Sequence, residues 1–160
     1  MIRSTYVPAR SDLFVRESCP QTLAAWKPYY DCVGANFEFQ NSDIGIEFPE
    51  WRKKWIFAVV MLRTIGHVLK NVDSKKSNKI KLIIDENWNR WAKNKKDNWI
   101  FWEFILKERN NILKSYQIGI SEHEDFIWHN EIEMDGIHII REATYWWRAQ
   151  LELIEQQLSL

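Results

Sequence analysis

The stretch from 98 to 117, NWIFWEFILKERNNILKSYQ, constrains the fold more than any other part of the chain. It contains neither Gly nor Pro, and bulky apolar side chains recur along it at spacings of three, four and seven residues. This stripe consists of Trp99, Trp102, Leu106, Leu113 and Tyr116. Such a spacing predicts an amphipathic α-helix with one face in a core. The fold is therefore expected to be organised around this helix.

One charged residue interrupts the stripe. Arg109 lies between Leu106 and Leu113 on the same face, and its guanidinium stays protonated at ordinary pH. Buried cations are rare unless they are paired. The sequence therefore leaves two alternatives for Arg109, which are a buried ion pair with Glu103, Glu108 or Glu142, or a place in the wall of a functional groove.

The same periodicity recurs in three other segments. It predicts four principal helices, at 49–72, 77–94, 97–118 and 136–158. Pro49 suits the first position of its helix, where a missing N–H costs nothing. The links between the first three helices are short, so neighbouring helices are expected to be antiparallel. The 160 residues therefore predict one all-α domain, a helical bundle with a core of its own.

Two regions lack this periodicity. Residues 1–48 predict an irregular arm that contains a short helix at 21–32, which Gly34 would end. Alternating apolar residues at 37–48 predict a short hairpin or a paired extended loop. Residues 118–135 are acidic and predict a strand pair or an ordered loop over one end of the bundle.

The composition points to a cytoplasmic protein. The longest apolar run, WIFAVVML at 55–62, is much shorter than the roughly 18 residues of a membrane span, and the N-terminal residues show no secretion signal. Neither membrane association nor secretion is therefore expected. Cys19 and Cys32 are expected to remain thiols, and neither they nor the 4 His show a metal-ligand spacing. No metal or cofactor site is predicted.

Aromatic residues are unusually frequent, with 10 Trp, 8 Phe and 5 Tyr. Two uses for them remain open. A thick aromatic core is the favoured one, and an exposed surface on which bases stack is the other.

The net charge of zero conceals a strong asymmetry along the chain. Residues 1–50 carry 4 Lys and Arg against 7 Asp and Glu, residues 51–115 carry 16 against 6, and residues 116–160 carry 2 against 9. The middle is therefore basic by 10 charges and the end acidic by 7. This split is typical of a basic surface for a phosphate-bearing partner, or of oppositely charged helices that pack within the fold or across a dimer.

The central helix also carries a short motif, Arg109-Asn110-Asn111-Ile112-Leu113-Lys114-Ser115-Tyr116. It resembles the signature of the HEPN superfamily (higher eukaryotes and prokaryotes nucleotide-binding domain), in which Arg and a polar residue precede a His and a Tyr. Arg109, Asn110 and Tyr116 match, and Lys114 stands at the His position. The resemblance covers the helices from about 49 to 158. It implies a metal-independent ribonuclease ancestry, a homodimer with facing motifs, and a setting in toxin–antitoxin pairs or phage defence.

The residue at the His position argues against catalysis. In active HEPN members, the Arg holds the scissile phosphate and the His moves protons as the ribose 2′-hydroxyl attacks. A Lys with an ordinary pKa of about 10.4 cannot act as a base unless burial or neighbouring charge lowers that pKa. Arg109 and Lys114 both suit phosphate binding. The leading prediction is therefore a non-catalytic domain that binds RNA or another phosphate-bearing partner, or that pairs with a protein.

Helical geometry restricts how the motif residues act together. Residues seven apart, such as Arg109 and Tyr116, nearly eclipse on a regular helix, whereas Lys114 lies about 140° around from Arg109. A joint site for Arg109 and Lys114 needs a distorted helix or a second chain. The structural alternatives are a core position for Tyr116 and a solvated charge for Lys114. His67, on the helix at 49–72, could replace the missing His in space.

The basic turn after the second principal helix adds further candidates. Lys93, Lys95 and Lys96, together with Asn110 in the motif, are predicted to contact phosphates, although such runs also serve as solvated faces. Two functions of other classes stay open beside the leading one. One is an active metal-independent ribonuclease that uses Lys114 or His67, and the other is an interaction module without any nucleic-acid role.

Overall fold

The computed structural model describes residues 10–40, 48–121, 124–129 and 132–160. Helices dominate these residues, which confirms the predicted all-α bundle. The helices are α1 (Trp26–Gln40), α2 (Phe48–Asn71), α3 (Asn78–Lys93), α4 (Leu106–Ser115) and α5 (Gly136–Leu158). A π-helical segment, Ile100–Ile105, leads into α4, and 3-10 turns lie at Arg10–Leu13 and Asp73–Lys75. Helices α2, α3 and α5 lie within one residue of their predicted bounds at each end.

Helix α1 differs from its prediction in position and length. The sequence predicts a helix at 21–32, whereas α1 begins at Trp26 and continues to Gln40. Gly34 does not end the helix. It lies inside α1 at an exposed position, where an added Cβ would meet no atom within 4 Å. A helix can therefore pass through this glycine without a packing constraint.

The predicted hairpin is wrong for its first part. Phe37 and Phe39 lie in α1, and Phe39 is buried on the same helical face as Tyr29. A polar residue on that face obscures the helical period in the sequence, since Asn36 is buried and donates a hydrogen bond from Nδ2 to Thr144 Oγ1 at 2.9 Å. Residues 41–47, which complete the predicted hairpin, lie outside the described residues.

Two buried carboxylates hold the chain that enters α1. Glu155 of α5 accepts hydrogen bonds at 2.6–3.0 Å from Thr22 N, Thr22 Oγ1, Leu23 N and Trp26 Nε1. Asp73, in the turn after α2, accepts from Ala24 N at 2.8 Å and Ala25 N at 3.0 Å, and pairs with Lys76 at 2.6 Å. Backbone N–H groups at the start of a helix lack intrahelical acceptors. These carboxylates supply them and fix the described part of the arm to the bundle.

Aromatic side chains fill the centre of the bundle, as the favoured interpretation of the composition requires. Trp55, Trp91 and Trp147 have no exposed surface. Phe101 packs against five indole rings, with centroid distances of 5.1 Å to Trp102, 5.3 Å to Trp88, 5.4 Å to Trp146 and 5.9 Å to Trp91 and Trp147. The π-helical segment therefore runs through the core.

The central helix packs on a face next to the predicted one. Its buried side chains are Ile100, Phe101, Phe104, Ile105, Glu108 and Ile112. Arg109 is half-buried, while Leu113 and Tyr116 are 58% and 64% exposed. The sequence IFWEFI carries two adjacent apolar ridges, and periodicity does not decide which ridge faces the core. The charged residue on the buried face is therefore Glu108 rather than Arg109.

Residues 120–135 contain a small antiparallel sheet in the order β1-β2-β3. Its strands are β1 (Ile120–Ser121), β2 (Glu124–His129) and β3 (Ile132–Asp135). In the β2–β3 pair, Phe126 lies opposite Asp135 and His129 lies opposite Ile132. The sheet contacts α5. Of the two alternatives for 118–135, the strand pair is the one that agrees with these elements.

The segment Glu50–Lys75, which contains most of α2, is long and apolar enough to cross a membrane, with a mean hydropathy of 1.3 over 18 residues. The core helix of a soluble protein passes the same test. Helix α2 packs against α1, α4 and α5, and 39% of that window is buried inside the fold. The fold is therefore compatible with a soluble protein.

Candidate functional site

Arg109 projects from α4 on the flank of the buried face. It is half-buried, and its Nη1 donates a hydrogen bond to Asn110 Oδ1 at 2.9 Å. The side chain of the neighbouring motif residue therefore orients this guanidinium. Asn110 Oδ1 is therefore used by Arg109, and the contact of Asn110 with phosphate stays a prediction.

The ion-pair alternative for Arg109 is wrong within the described residues. Glu103 pairs with Lys107, one turn further along the helix. Glu108 is 4% exposed, and its Oε1 accepts hydrogen bonds from Trp55 Nε1 at 3.0 Å and Gly119 N at 2.9 Å. Glu142 forms no ion pair with Arg109, and burial raises the pKa of its carboxyl to about 7. The charge of Arg109 is therefore not cancelled by any of these carboxylates.

Two residues of α2 lie close to Arg109. Arg63 and His67 are four residues apart, a spacing that places side chains on one face of a helix. Burial lowers the pKa of Arg63, and the charge of Arg109 lowers it further. Desolvation lowers the pKa of His67 below 6.5, and the charges of Arg63 and Arg109 lower it further, in that order of size. We refer to Arg63, His67 and Arg109 as the basic cluster. The effect of the Arg109 charge on His67 is in line with the hypothesis that His67 faces the Arg109 region.

Aromatic rings, rather than carboxylates, surround Arg63. Its guanidinium carbon lies 5.9 Å from the ring centroid of Trp88 and 5.8 Å from that of Phe101. Its Nη1 is buried without a hydrogen-bond partner among the described residues. A Cβ added at Gly66 would lie 2.9 Å from this Nη1 and 3.2 Å from Trp147. The absence of a side chain at Gly66 therefore makes room for the guanidinium, which keeps its full positive charge.

The remaining motif residues are not assembled with Arg109 in one site. Helix α4 ends at Ser115, and Tyr116 adopts the left-handed conformation with φ 52° and ψ 34°. The regular helix that would make Tyr116 eclipse Arg109 therefore stops before reaching it. Tyr116 is exposed, so the alternative of a core position is wrong. Lys114 is exposed too, as the solvated-charge alternative predicted.

The predicted lysines precede the central helix. Lys93 ends α3, Lys95 and Lys96 lie in the turn that follows it, and all three are exposed. The Nζ of Lys95 lies 4.8 Å from the ring centroid of Trp102, which precedes Arg109 by seven residues on the same flank. Seven residues correspond to roughly 10 Å along a helix. A cation, an aromatic ring and the basic cluster thus follow one another along this flank.

Arg90, which the sequence groups with these lysines, serves packing instead. Its Nη2 donates to Gln150 Oε1 at 2.7 Å and to Asn87 Oδ1 at 2.9 Å. Trp91 Nε1 donates to the same Gln150 oxygen at 2.7 Å. These contacts join α3 to α5. Arg90, although exposed, is therefore part of a polar network that links α3 to α5.

Arg63 is the site residue that sequence reasoning missed. It directly follows the apolar run at 55–62. A signal was present, because Arg63 and His67 form a polar pair four residues apart within residues 55–69, which are otherwise apolar except for Thr64. The approach of this pair to Arg109 depends on how α2 packs against α4, which periodicity does not report.

The cluster has the chemistry of an anion site. Guanidinium groups donate paired N–H bonds to phosphate or carboxylate oxygens. Because its pKa is lowered, the exposed imidazole of His67 is neutral at pH 7 and can accept a proton. Among the described residues, no three His, Cys, Asp or Glu side chains lie close enough together to hold a metal ion.

Searches against protein-family models, curated proteins and solved structures found no match to this chain.

Proposed function

We propose that the protein binds a phosphate-bearing ligand, single-stranded RNA, at the basic cluster formed by Arg63, His67 and Arg109. The observation that carries this proposal is the approach of two guanidinium groups that lack a carboxylate partner among the described residues. The desolvation of each such group costs free energy that no counter-ion offsets. A bound phosphate would supply the missing negative charge.

RNA is preferred to other phosphate-bearing ligands for two reasons. Trp102, with Lys95 over its ring, lies on the same flank of the helix as Arg109, and such a combination of cations and aromatic faces suits single-stranded nucleic acid. The resemblance of Arg109, Asn110 and Tyr116 to the HEPN signature points to RNA as well. The same resemblance suggests a homodimer and a cytoplasmic role in toxin–antitoxin pairing or phage defence.

The proposal assigns no catalytic role to Lys114. Burial is one way to lower the pKa of a Lys so that it can act as a base, and Lys114 is exposed. Tyr116 and Lys114 are assigned to the edge of the RNA surface. In this assignment, Arg109 and Arg63 bind phosphate, and Lys93, Lys95 and Lys96 extend the electrostatic surface.

The test is binding of a labelled single-stranded RNA library, followed by fluorescence anisotropy. Arg109→Ala and Arg63→Lys are compared with Lys27→Ala, which removes one exposed charge from α1, away from the basic middle of the chain. Loss of one charge-assisted contact should weaken binding about tenfold or more. Arg63→Lys keeps the charge but loses the planar fork, so it should also weaken binding.

Circular dichroism of each variant shows whether the fold is retained. The proposal fails if wild-type protein at micromolar concentration shows no salt-dependent RNA binding. It also fails if Lys27→Ala weakens binding as much as Arg109→Ala does. Sedimentation of the free and RNA-bound protein tests the homodimer.

A second candidate function is metal-independent RNA cleavage with His67 as the proton carrier. The specific observation in its favour is that the imidazole of His67, whose pKa is lowered, lies near the guanidiniums of Arg63 and Arg109. Cleavage should then persist in the presence of a chelator and disappear in His67→Gln and Arg109→Ala. Cleavage that survives both substitutions would come from another source, and RNA binding without cleavage leaves the non-catalytic function.

A further inference from the structure

A groove of about 550 Å³ lies on the side of the bundle where the segment 16–20 crosses the C-terminal half of α5. One wall is formed by Arg16, Ser18, Cys19 and Pro20. The floor is one face of α5, with Tyr145, Arg148, Ala149, Glu152, Leu153 and Gln156 at helical spacing. No residue of the basic cluster lines this groove. Its volume is in the range of pockets that hold small molecules, roughly 300–1,000 Å³.

One guanidinium in the groove is held in a fixed orientation. Arg148 Nη1 donates to Phe14 O at 3.0 Å, and the guanidinium carbon lies 5.2 Å from the ring centroid of Tyr145. Its Nη2 lies 3.8 Å from Glu152 Oε2, which is a long contact for an ion pair. Its Nε is buried and has no hydrogen-bond partner among the described residues. The guanidinium of Arg148 is therefore held in place, and its positive charge is only weakly offset by Glu152.

The second guanidinium is uncompensated. Glu152 Oε1 accepts a hydrogen bond from the backbone N of Arg16 at 3.3 Å, whereas the exposed Arg16 side chain has no hydrogen bond or ion pair within the described residues. The two arginines act on the same neighbour, since both lower the pKa of the Cys19 thiol against the larger raising effects of burial, Glu152 and Glu155. Glu152 is therefore the carboxylate of the lining that lies near Arg148, and its effect on the Cys19 thiol is larger than that of either arginine.

The rest of the lining mixes apolar and polar side chains. Ala149, Leu153 and Pro20 present carbon atoms to the groove, and Ser18, Gln156 and Ser159 are polar. The half-buried Cys19 uses its thiol to donate a hydrogen bond to Pro20 O at 3.2 Å. The groove therefore offers an apolar patch beside polar groups.

We propose that this groove binds a small organic anion, with its carboxylate or phosphate group between Arg16 and Arg148 and its apolar part on Ala149, Leu153 and Pro20. The proposal is independent of RNA binding at the basic cluster, because the two sites share no residue.

The experiment uses two fluorescent probes of the same shape. 8-Anilinonaphthalene-1-sulfonate carries an anionic group on an aromatic body, and N-phenyl-1-naphthylamine is the same body without the charge. Both are titrated against wild-type protein, Arg16→Gln, Ser18→Trp and Arg109→Gln. Arg16 and Ser18 are exposed, so their substitution spares the core. Circular dichroism verifies that each variant is folded.

The sulfonate should bind wild-type protein at one site. Its affinity should fall about tenfold in Arg16→Gln and stay unchanged in Arg109→Gln. Its binding should be lost in Ser18→Trp, because the indole fills the groove. The neutral probe should respond to Ser18→Trp and not to Arg16→Gln. Sulfonate binding that is unaffected by Arg16→Gln and Ser18→Trp, or that is lost in Arg109→Gln, overturns the proposal.

Displacement of the sulfonate then identifies the anionic group. Octanoate and mono-octyl phosphate have the same apolar chain, so the stronger competitor shows whether the groove prefers a carboxylate or a phosphate. Displacement by either compound supports the proposal, and displacement by neither overturns it.

Discussion

Two neighbouring charges, Glu108 and Arg109, occupy opposite environments on one helix. Glu108 faces the core, where it accepts hydrogen bonds from Trp55 Nε1 and Gly119 N. Arg109 lies on the flank, and its described hydrogen bond is to the adjacent Asn110. A buried acceptor that satisfies two donors is needed for stability, whereas a half-exposed cation without a counter-ion is available to a ligand.

This difference predicts unequal effects on stability. Glu108→Ala leaves two donors without their acceptor and should lower the free energy of unfolding by about 2–4 kcal/mol. Arg109→Ala should lower it by less than about 1 kcal/mol, because no ion pair is broken. Urea unfolding measures both values. A loss of about 3–5 kcal/mol in Arg109→Ala would instead indicate a buried ion pair.

Glu142 predicts a dependence of stability on pH. Burial raises the pKa of its carboxyl from 4.5 to about 7 in the folded protein. Between those values the unfolded chain has released a proton that the folded protein retains. Stability contributed by this group is therefore present below pH 4.5 and is lost as pH rises towards 7. Partial exposure of the side chain limits the loss to about 2 kcal/mol or less.

Thermal unfolding of Glu142→Gln at a series of pH values checks this contribution. The variant cannot titrate at this position, so the difference between its stability and that of the wild type should vary between pH 4.5 and 7. A difference that stays constant over this interval would contradict the prediction.

At the scale of elements, the ends of α1 and α4 depend on features other than the apolar periodicity of each helix. Helix α1 begins where Glu155 and Asp73 accept the hydrogen bonds of residues 22–26. Helix α4 ends where Tyr116 turns into the left-handed region with φ 52°. Neither boundary follows from the periodicity of the helix itself.

The start of α1 supplies a second stability prediction. Glu155→Gln replaces one carboxylate oxygen by an NH₂ group that opposes the donors around it, so the free energy of unfolding should fall by about 2–4 kcal/mol. Glu152→Gln, three residues earlier on α5, loses a 3.8 Å ion pair but keeps an oxygen for the 3.3 Å hydrogen bond, so it should cost less than about 1 kcal/mol. Denaturant unfolding of the two variants distinguishes them, and equal losses would contradict this role of Glu155.

The end of α4 predicts a stabilising substitution. A side chain other than Gly costs roughly 1 kcal/mol in the left-handed conformation, and Tyr116 is 64% exposed, so it has little packing to lose. Tyr116→Gly should therefore raise the free energy of unfolding by about 0.5–1 kcal/mol. The thermal midpoint should rise accordingly, with Tyr116→Ala as the control that leaves the strain in place. A lower midpoint in Tyr116→Gly would show that the exposed ring makes a necessary contact.

At the scale of the whole molecule, folding does not neutralise the positive charge of the middle segment at the proposed site. Arg63, Arg109, Lys93, Lys96 and Lys114 have no carboxylate partner within the described ranges. Where basic α3 meets acidic α5, amides carry important contacts, as between Asn87 Nδ2 and Gln157 Oε1 at 2.7 Å. Positive charge of the middle segment therefore remains available to a partner.

A ligand that uses this charge should bind with a strong dependence on salt. Each phosphate contact to a single strand contributes a slope of about −0.7 to the plot of log affinity against log salt concentration. Contacts from Arg63, Arg109 and Lys95 predict a slope of about −2, which Arg109→Ala should reduce by about 0.7. Anisotropy titrations at salt concentrations from roughly 50 to 300 mM measure this slope. An unchanged slope in Arg109→Ala would place the contacts elsewhere.

The sequence by itself determined the elements whose signal is local. Helices α2, α3 and α5 follow from the recurrence of apolar residues within each segment, and the aromatic core follows from composition and the same periodicity. It also identified Arg109 and Asn110 as neighbours at a charged site. These features need no knowledge of the rest of the chain.

Only the tertiary structure decided which face of each helix is buried and which distant residues meet. Two apolar ridges of IFWEFI are equivalent until Trp91 and Trp147 pack against Phe101, and this choice buries Glu108 and leaves Arg109 on the flank. The approach of Arg63 to Arg109 depends on the packing of α2 against α4. Such contacts join residues far apart in sequence, so their energies depend on the whole fold and leave no local pattern to read.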